Sequence, residues 1–84
     1  MTDSFEDVTK LVRELVEQIV ENPDDAEVTG TDQENGELYI EIKVDESDIG
    51  KVIGRQGRII KAIRTIARAA ASQDGFRVEV ELAE

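Results

Sequence analysis

Two glycines and two polar residues near the middle of the chain form the pattern best suited to chemistry. Gly54 and Gly57 bracket Arg55 and Gln56, and apolar residues flank this tetrapeptide on both sides. Glycine lets the backbone turn sharply, and it lets a phosphate approach without a Cβ in the way. If a helix starts after the second glycine, its unpaired N–H groups and its dipole favour an anion there. The spacing therefore predicts a loop that holds a phosphate.

The charge distribution favours an anionic ligand, although the chain as a whole is acidic. The net charge is −10, yet no acid occurs between Asp48 and Asp74. The six basic residues of that stretch are Lys51, Arg55, Arg58, Lys61, Arg64 and Arg68. They give the stretch a charge of +6 and leave −16 on the remainder of the chain. A solvated helix face that pairs with acids elsewhere in the fold would explain the same segregation.

Other kinds of chemistry have few candidate residues. The sequence contains no cysteine and no histidine, which removes thiol chemistry and the commonest general base and metal ligand. Clustered carboxylates offer oxygen ligands for Mg²⁺. They are Asp24, Asp25, Asp45, Glu46 and Asp48. Because they suit turns and a helix start, and no base or nucleophile accompanies them, we predict no catalytic residue, metal site, cofactor or small-molecule substrate.

The N-terminal region argues against targeting to a membrane. It contains acids and lacks a long apolar run, so we predict neither a signal peptide nor a membrane span. A cytoplasmic protein is the resulting expectation.

Six secondary-structure elements are expected to position the loop. Apolar residues at helical period run from Phe5 to Val20, Ser4 is suited to cap this helix, and Pro23 ends it. The other elements are a weak strand at 27–31, a turn at 35–36, an alternating strand at 38–44, helices at about 47–53 and 58–73, and a strand at 76–82. On the long helix, the residues expected to face the sheet are Ile59, Ile63, Ile66 and Ala70. The basic face of that helix is expected to carry Lys61, Arg64 and Arg68.

The order of these elements, α-β-β-α-α-β, constrains the topology. A hairpin makes the first two strands antiparallel neighbours, and a right-handed crossover brings the last strand in parallel beside the second. Every strand has one apolar face, so all three helices should pack on one side of a three-stranded mixed sheet. We predict a two-layer α+β domain over residues 1–84, in which 1–36 precede a strand-helix-loop-helix-strand unit at 37–84.

The residues around the loop resemble the hallmark of the KH family, which is [Ile/Val]-Ile-Gly-x-x-Gly-x-x-Ile between two helices. The matching segment is Val52-Ile53-Gly54-Arg55-Gln56-Gly57-Arg58-Ile59-Ile60. A bare Gly-x-x-Gly occurs by chance in many proteins, whereas this setting is specific. The order of elements is similar to that of a type II KH domain. The length resembles that of the small bacterial single-KH proteins of the KhpA type.

This resemblance implies non-catalytic binding of single-stranded RNA, by an RNA chaperone or post-transcriptional regulator. Gly54, Arg55, Gln56 and Gly57 would clamp about four nucleotides in a groove between the loop and the sheet edge. The resemblance also implies phosphate contacts from Lys51, Arg58 and Lys61, and groove walls from Ile49, Val52 and Ile53. Core packing explains each of the last three equally well.

Proteins of this kind can form a homodimer, or a heterodimer with a larger KH-containing protein. Two linked sites would raise the avidity for RNA. An alternative function is a protein-interaction module on a KH scaffold, for example in ribosome assembly. Binding to single-stranded DNA also stays open, because no residue identifies a reader of the 2′-OH.

Overall fold

The computed structural model describes residues 4–84, which form three α-helices and three β-strands. The helices are α1 (Ser4–Ile19), α2 (Ile49–Ile53) and α3 (Arg58–Gln73). The strands are β1 (Glu27–Asp32), β2 (Glu37–Lys43) and β3 (Arg77–Leu82). Short 3₁₀ turns precede β1, α2 and α3, at Pro23–Asp25, Glu46–Asp48 and Arg55–Gly57. The predicted order of elements is confirmed.

The three strands form one mixed sheet with β2 in the centre. β1 runs antiparallel to β2, with Val28 opposite Ile42, and a loop that includes Asn35 and Gly36 joins them. β3 runs parallel to β2, with Val80 beside Ile40. Parallel neighbours need a crossover connection, which α2 and α3 supply. The crossover brings α3 against β3.

The hydrophobic core lies between the sheet and the helices. Helix α1 contributes valines one turn apart, at Val8, Val12 and Val16, and Val20, directly after the helix, continues the row. Alternating residues of the strands meet them, namely Val28, Leu38, Ile40, Ile42, Val78 and Val80. Because each side chain of this size stabilises the fold by about 1.5–3 kcal/mol when it is fully buried, this seam holds the two layers together.

The buried face of α3 differs from the predicted one. Its buried residues are Ile60, Ile63, Ala67 and Ala71. Ile59 and Ile66 are 36% and 42% exposed, so the expectation that they face the sheet was wrong. The apolar residues of α3 cover more of the helix surface than one packing interface buries, so two sets of positions satisfy the helical period. Because α3 packs against both α1 and β3, the set of positions that contains the small residues Ala67 and Ala71 is the one that is buried.

The ends of two helices also differ from expectation. Ser4 is itself helical, so it is not the residue that caps α1. Helix α2 begins at Ile49 rather than near Ser47, because a 3₁₀ turn comes first. The Asp45 carboxylate fixes that turn by accepting a hydrogen bond from the Ser47 N–H at 3.0 Å. Within residues 4–84, none of the helices is long and apolar enough to cross a membrane.

Candidate nucleic-acid interface

The loop between α2 and α3, which we call the clamp, consists of Gly54, Arg55, Gln56 and Gly57. Three of its residues have positive φ: Gly54 (φ 76°, ψ 173°), Gln56 (φ 57°, ψ 24°) and Gly57 (φ 74°, ψ 15°). The first of these conformations is essentially restricted to glycine. The Gly54 N–H closes α2 by donating to the Gly50 carbonyl at 2.9 Å. These conformations end α2 and let α3 start directly after the clamp.

The two glycines of the clamp meet different surroundings. A Cβ on Gly54 would lie 2.8 Å from the Ile59 Cβ and 2.9 Å from the Ile59 backbone nitrogen. A Cβ on Gly57 would meet only the Lys61 Cε, at 3.8 Å. The first turn of α3 therefore packs directly on Gly54, whereas Gly57 leaves open space beside the backbone. Such space is what an approaching phosphate requires.

Backbone donors of the clamp are available to a ligand. The Gly57 N–H donates to the Gly54 carbonyl at 3.1 Å, and the Arg58 N–H donates to the Arg55 carbonyl. These bonds close the 3₁₀ turn and do not use the N–H groups of Arg55 and Gln56. Both groups lie at the N-terminal end of α3, which is 16 residues long and has its dipole directed favourably for an anion. The local geometry can therefore hold a phosphate oxygen.

Most of the basic side chains near the clamp are not neutralised by acids. Arg55, Arg58, Lys61 and Arg68 are exposed and form no ion pair with any other residue of 4–84. The Arg58 guanidinium donates to the Gln56 side-chain oxygen at 3.2 Å, which directs it toward the clamp. The alternative of a basic face that pairs with acids elsewhere does not describe these four residues. The positive charge of Arg55, Arg58 and Lys61, beside the clamp, is therefore available to an anionic ligand there, whereas Arg68 lies about three turns further along α3.

Lys51 differs from the other predicted phosphate contacts. Its Nζ lies 3.5 Å from a Glu21 carboxylate oxygen and 3.8 Å from an Asp48 carboxylate oxygen. The lysine is still partly exposed, so it can reach a ligand only in competition with these two acids. We therefore expect a weaker contribution from Lys51 than from the unpaired cations beside the clamp.

Asp48 is a buried residue that positions α2, and the sequence did not reveal it. Its carboxylate accepts hydrogen bonds from the Glu21 N–H at 3.1 Å, the Asn22 N–H at 3.0 Å and the Asn22 side-chain amide at 3.1 Å. Burial alone would raise the pKa of Asp48, but these hydrogen bonds and the Lys51 charge outweigh it, so the pKa lies below its ordinary value. Asp48 thereby ties the chain after α1 to the start of α2.

A small groove lies between the end of α2, the first turns of α3 and the C-terminal part of β3. It has a volume of about 180 Å³ and is lined by Ile53, Ile60, Arg64, Glu81, Leu82 and Glu84. Ile53 is the predicted wall residue that lines it. Val52 is fully buried and Ile49 is half-buried against the core, so core packing describes these two residues. Arg64 reaches into the groove, although the sequence assigned it only to the basic face of α3.

A clamp with positive φ at both glycines, a basic rim and the α-β-β-α-α-β order together define a type II KH domain. The family model described as KhpA/KhpB, KH domain, matches residues 9–82. The chain therefore belongs to this family of RNA-binding domains, which are not enzymes.

Similar proteins from several bacteria match most of the chain. RNA-binding protein KhpA of Caldanaerobacter subterraneus subsp. tengcongensis is 45% identical over 73 residues, which cover 87% of this chain and 96% of that protein. RNA-binding protein KhpA of Clostridium acetobutylicum is 42% identical with the same coverage. The corresponding protein of Listeria monocytogenes is 35% identical over 75 residues, which cover 89% of this chain and 97% of that protein.

Two solved structures of Era are similar in fold. Aquifex aeolicus Era bound to GDP and aluminium fluoride has a TM-score of 0.62 and 26% identity, covering 98% of this chain. Era in complex with MgGDPNP and nucleotides 1506–1542 of 16S ribosomal RNA has a TM-score of 0.62 and 27% identity, covering 96% of this chain. This chain spans only 31% and 30% of those two Era chains.

Proposed function

We propose that this protein binds single-stranded RNA through the clamp and the groove beside it, without catalysing a reaction. The observation that carries the proposal is the coincidence of two unused backbone N–H groups, a helix N-terminus and unpaired cations at one loop. Similar proteins are named RNA-binding protein KhpA, and one Era structure of the same fold holds ribosomal RNA. Each of these facts favours a nucleic acid as the ligand.

The clamp residues divide the work of holding the sugar-phosphate chain. The N–H groups of Arg55 and Gln56 bind a phosphate oxygen, and Gly57 lets the backbone come close to it. The side chains of Arg55, Arg58 and Lys61 neutralise neighbouring phosphates. Bases turn away from the phosphates into the groove, where Ile53 and its apolar neighbours cover one wall. About four nucleotides fit such a site.

A cellular role as RNA chaperone or post-transcriptional regulator in the cytoplasm is consistent with such a small site. The chain has two phenylalanines, one tyrosine and no tryptophan, so few aromatic rings are available to stack on bases. Weak binding by one site favours a second site nearby, because linked sites raise avidity. We therefore propose that the protein self-associates or pairs with a larger KH-containing protein.

A protein-interaction module is the second candidate function. The exposed isoleucines of α3, Ile59 and Ile66, favour it, because large apolar side chains on a surface are often covered by a partner. Ribosome assembly is one setting in which such a module would act. In this case the protein would bind its partner with an altered clamp as well as with an intact one.

Titration of ¹⁵N-labelled protein with single-stranded RNA separates the two functions. If the proposal is right, amide signals of the clamp and of the first turn of α3 shift first and most strongly. Signals of β1, at the sheet edge opposite β3, and of the face of α1 that packs on β1 should move little. Shifts confined to other surfaces, or no shifts with RNA at all, would move the preference to the protein-interaction module.

A further inference from the structure

The groove beside the clamp contains a single cationic side chain, that of Arg64. Apolar side chains line the part nearest α2 and α3, and two carboxylates, Glu81 and Glu84, stand at the β3 side. A phosphate is repelled from the carboxylates and is attracted to the clamp. The orientation that satisfies both conditions places the phosphate at the clamp and the base in the groove. Arg64 is then the group that meets the base.

Arg64 is held in one orientation by the edge of β3. Its Nε–H donates to the Val80 carbonyl at 3.0 Å, and its Nη2 lies 3.9 Å from a Glu81 carboxylate oxygen. The Val80 carbonyl lies on the outer edge of the sheet, because the alternate residues of β3 are the ones that bond to β2, as Arg77 does to Gly36 and Ala83 to Ile42. The side chain of Arg64 is 31% exposed, so it is anchored but not covered.

This anchoring leaves one edge of the guanidinium unused. The group has five N–H donors in a rigid fork. The Nε–H is bonded to β3 and the Nη2 approaches Glu81, whereas the Nη1 has no partner among residues 4–84. The outer edge formed by Nη1 and Nη2 therefore still offers two parallel donors. A fixed pair of donors binds best to two adjacent acceptors.

Only two of the four bases present adjacent acceptors. Guanine has O6 beside N7, and cytosine has O2 beside N3. In uracil a donor, N3–H, separates the two carbonyl oxygens, and in adenine the N6 amino group lies beside N7. We propose that Arg64 reads the base in the groove and selects cytosine or guanine over uracil or adenine. This inference rests on the proposed binding of single-stranded RNA at the same site.

The test compares labelled oligocytidine with oligouridine of about eight nucleotides, twice the length of a KH site. The two strands carry the same backbone and pyrimidines of the same size. We expect wild type to bind oligocytidine about tenfold more tightly, the lower range for a bidentate contact to a base. Arg64→Lys keeps the positive charge but removes the fork, so the ratio of the two affinities should fall to about one. Affinity for oligouridine should stay nearly unchanged.

Arg68→Lys is the matched control. Arg68 lies on the same helix, is exposed and forms no ion pair within residues 4–84, so its replacement should preserve the wild-type ratio. If wild type binds both strands equally and a clamp variant binds neither, base selection by Arg64 is overturned, but the proposed binding of RNA at the clamp still stands. If Arg64→Lys lowers the affinity for both strands by the same factor, Arg64 contacts a phosphate rather than a base, and base selection is again overturned. Binding of neither strand by wild type contradicts the proposed function itself.

Discussion

Replacement of Gly54 by alanine should be the most damaging single methyl addition in the clamp. A residue other than glycine at φ 76° and ψ 173° costs about 1–3 kcal/mol. The new Cβ would also overlap the Ile59 side chain and lie 2.9 Å from the Ile59 backbone nitrogen, so the first turn of α3 must move. Overpacking of this kind costs about 1–3 kcal/mol. Together these effects predict a loss of about 3 kcal/mol in the free energy of unfolding.

Thermal unfolding followed by circular dichroism measures this loss, and Gly57→Ala is the matched control. A loss of 1 kcal/mol lowers the melting temperature of a domain of this size by about 4–8 °C, so Gly54→Ala should lose about 12–24 °C. Gly57→Ala meets no close neighbour, and its left-handed conformation costs about 1–2 kcal/mol, so it should lose about 4–16 °C. Equal shifts in the two variants would refute the account of α3 packing on Gly54.

Three further substitutions test the fold that supports the site, and a salt titration tests the clamp itself. Asp48→Asn should destabilise the protein at neutral pH. Because the pKa of Asp48 is lowered in the folded state, wild type should be more stable than the variant above about pH 4, and this advantage should shrink as the pH falls through the folded pKa. A difference in the free energy of urea unfolding that stays constant with pH would contradict this. Gly30→Ala would collide with the Thr9 hydroxyl and should cost about 1–3 kcal/mol, whereas Gly50→Ala meets open space in α2 and should stabilise by about 0.5–1 kcal/mol in the same assay. RNA affinity should fall as the salt concentration rises. If the unpaired cations bind three phosphates, log K should decrease by about 2 for each tenfold increase in salt. An affinity that does not depend on salt would contradict binding of phosphates at the clamp.

The topology was predictable because local patterns agreed with one another. Alternation in β2 and β3 and the helical stripe of α1 each fixed one buried face. The Gly54 and Gly57 positions fixed the break between α2 and α3, and the bounds of α3 were predicted correctly. A hairpin and a crossover then allowed only one mixed sheet of this order. Consistent local signals of this kind are what specify a fold.

Two features depended on contacts between distant segments and could not be predicted. Ile59 and Ile60 are both apolar, and only the approach of α1 and β3 determines which of them is buried. Asp48 occupies a position where an acid is favourable at any helix start, so its burial against Asn22 gives no separate signal in the sequence. The anchoring of Arg64 on Val80 is likewise a contact across 16 positions of the chain. Spacing along one element does not carry such information.

The central claim is that the clamp binds the RNA backbone, and fluorescence anisotropy with labelled single-stranded RNA tests it most directly. The decisive variant is Arg55→Asp/Gln56→Asp, and its matched control is Arg68→Asp/Gln73→Asp. All four side chains are exposed, and both variants change the net charge by the same amount. The control residues lie about 16 Å or more along α3 from the clamp, which exceeds the Debye length of about 8 Å at physiological salt.

The account predicts that the clamp variant remains folded and loses at least about tenfold in affinity, because a charge-assisted contact contributes about 1.5–3 kcal/mol. The control should stay within about threefold of wild type, since its charges are largely screened from the clamp. Equal losses in the two variants would mean that RNA responds only to total charge. Unchanged binding by the clamp variant would place the RNA elsewhere on the protein and contradict the account.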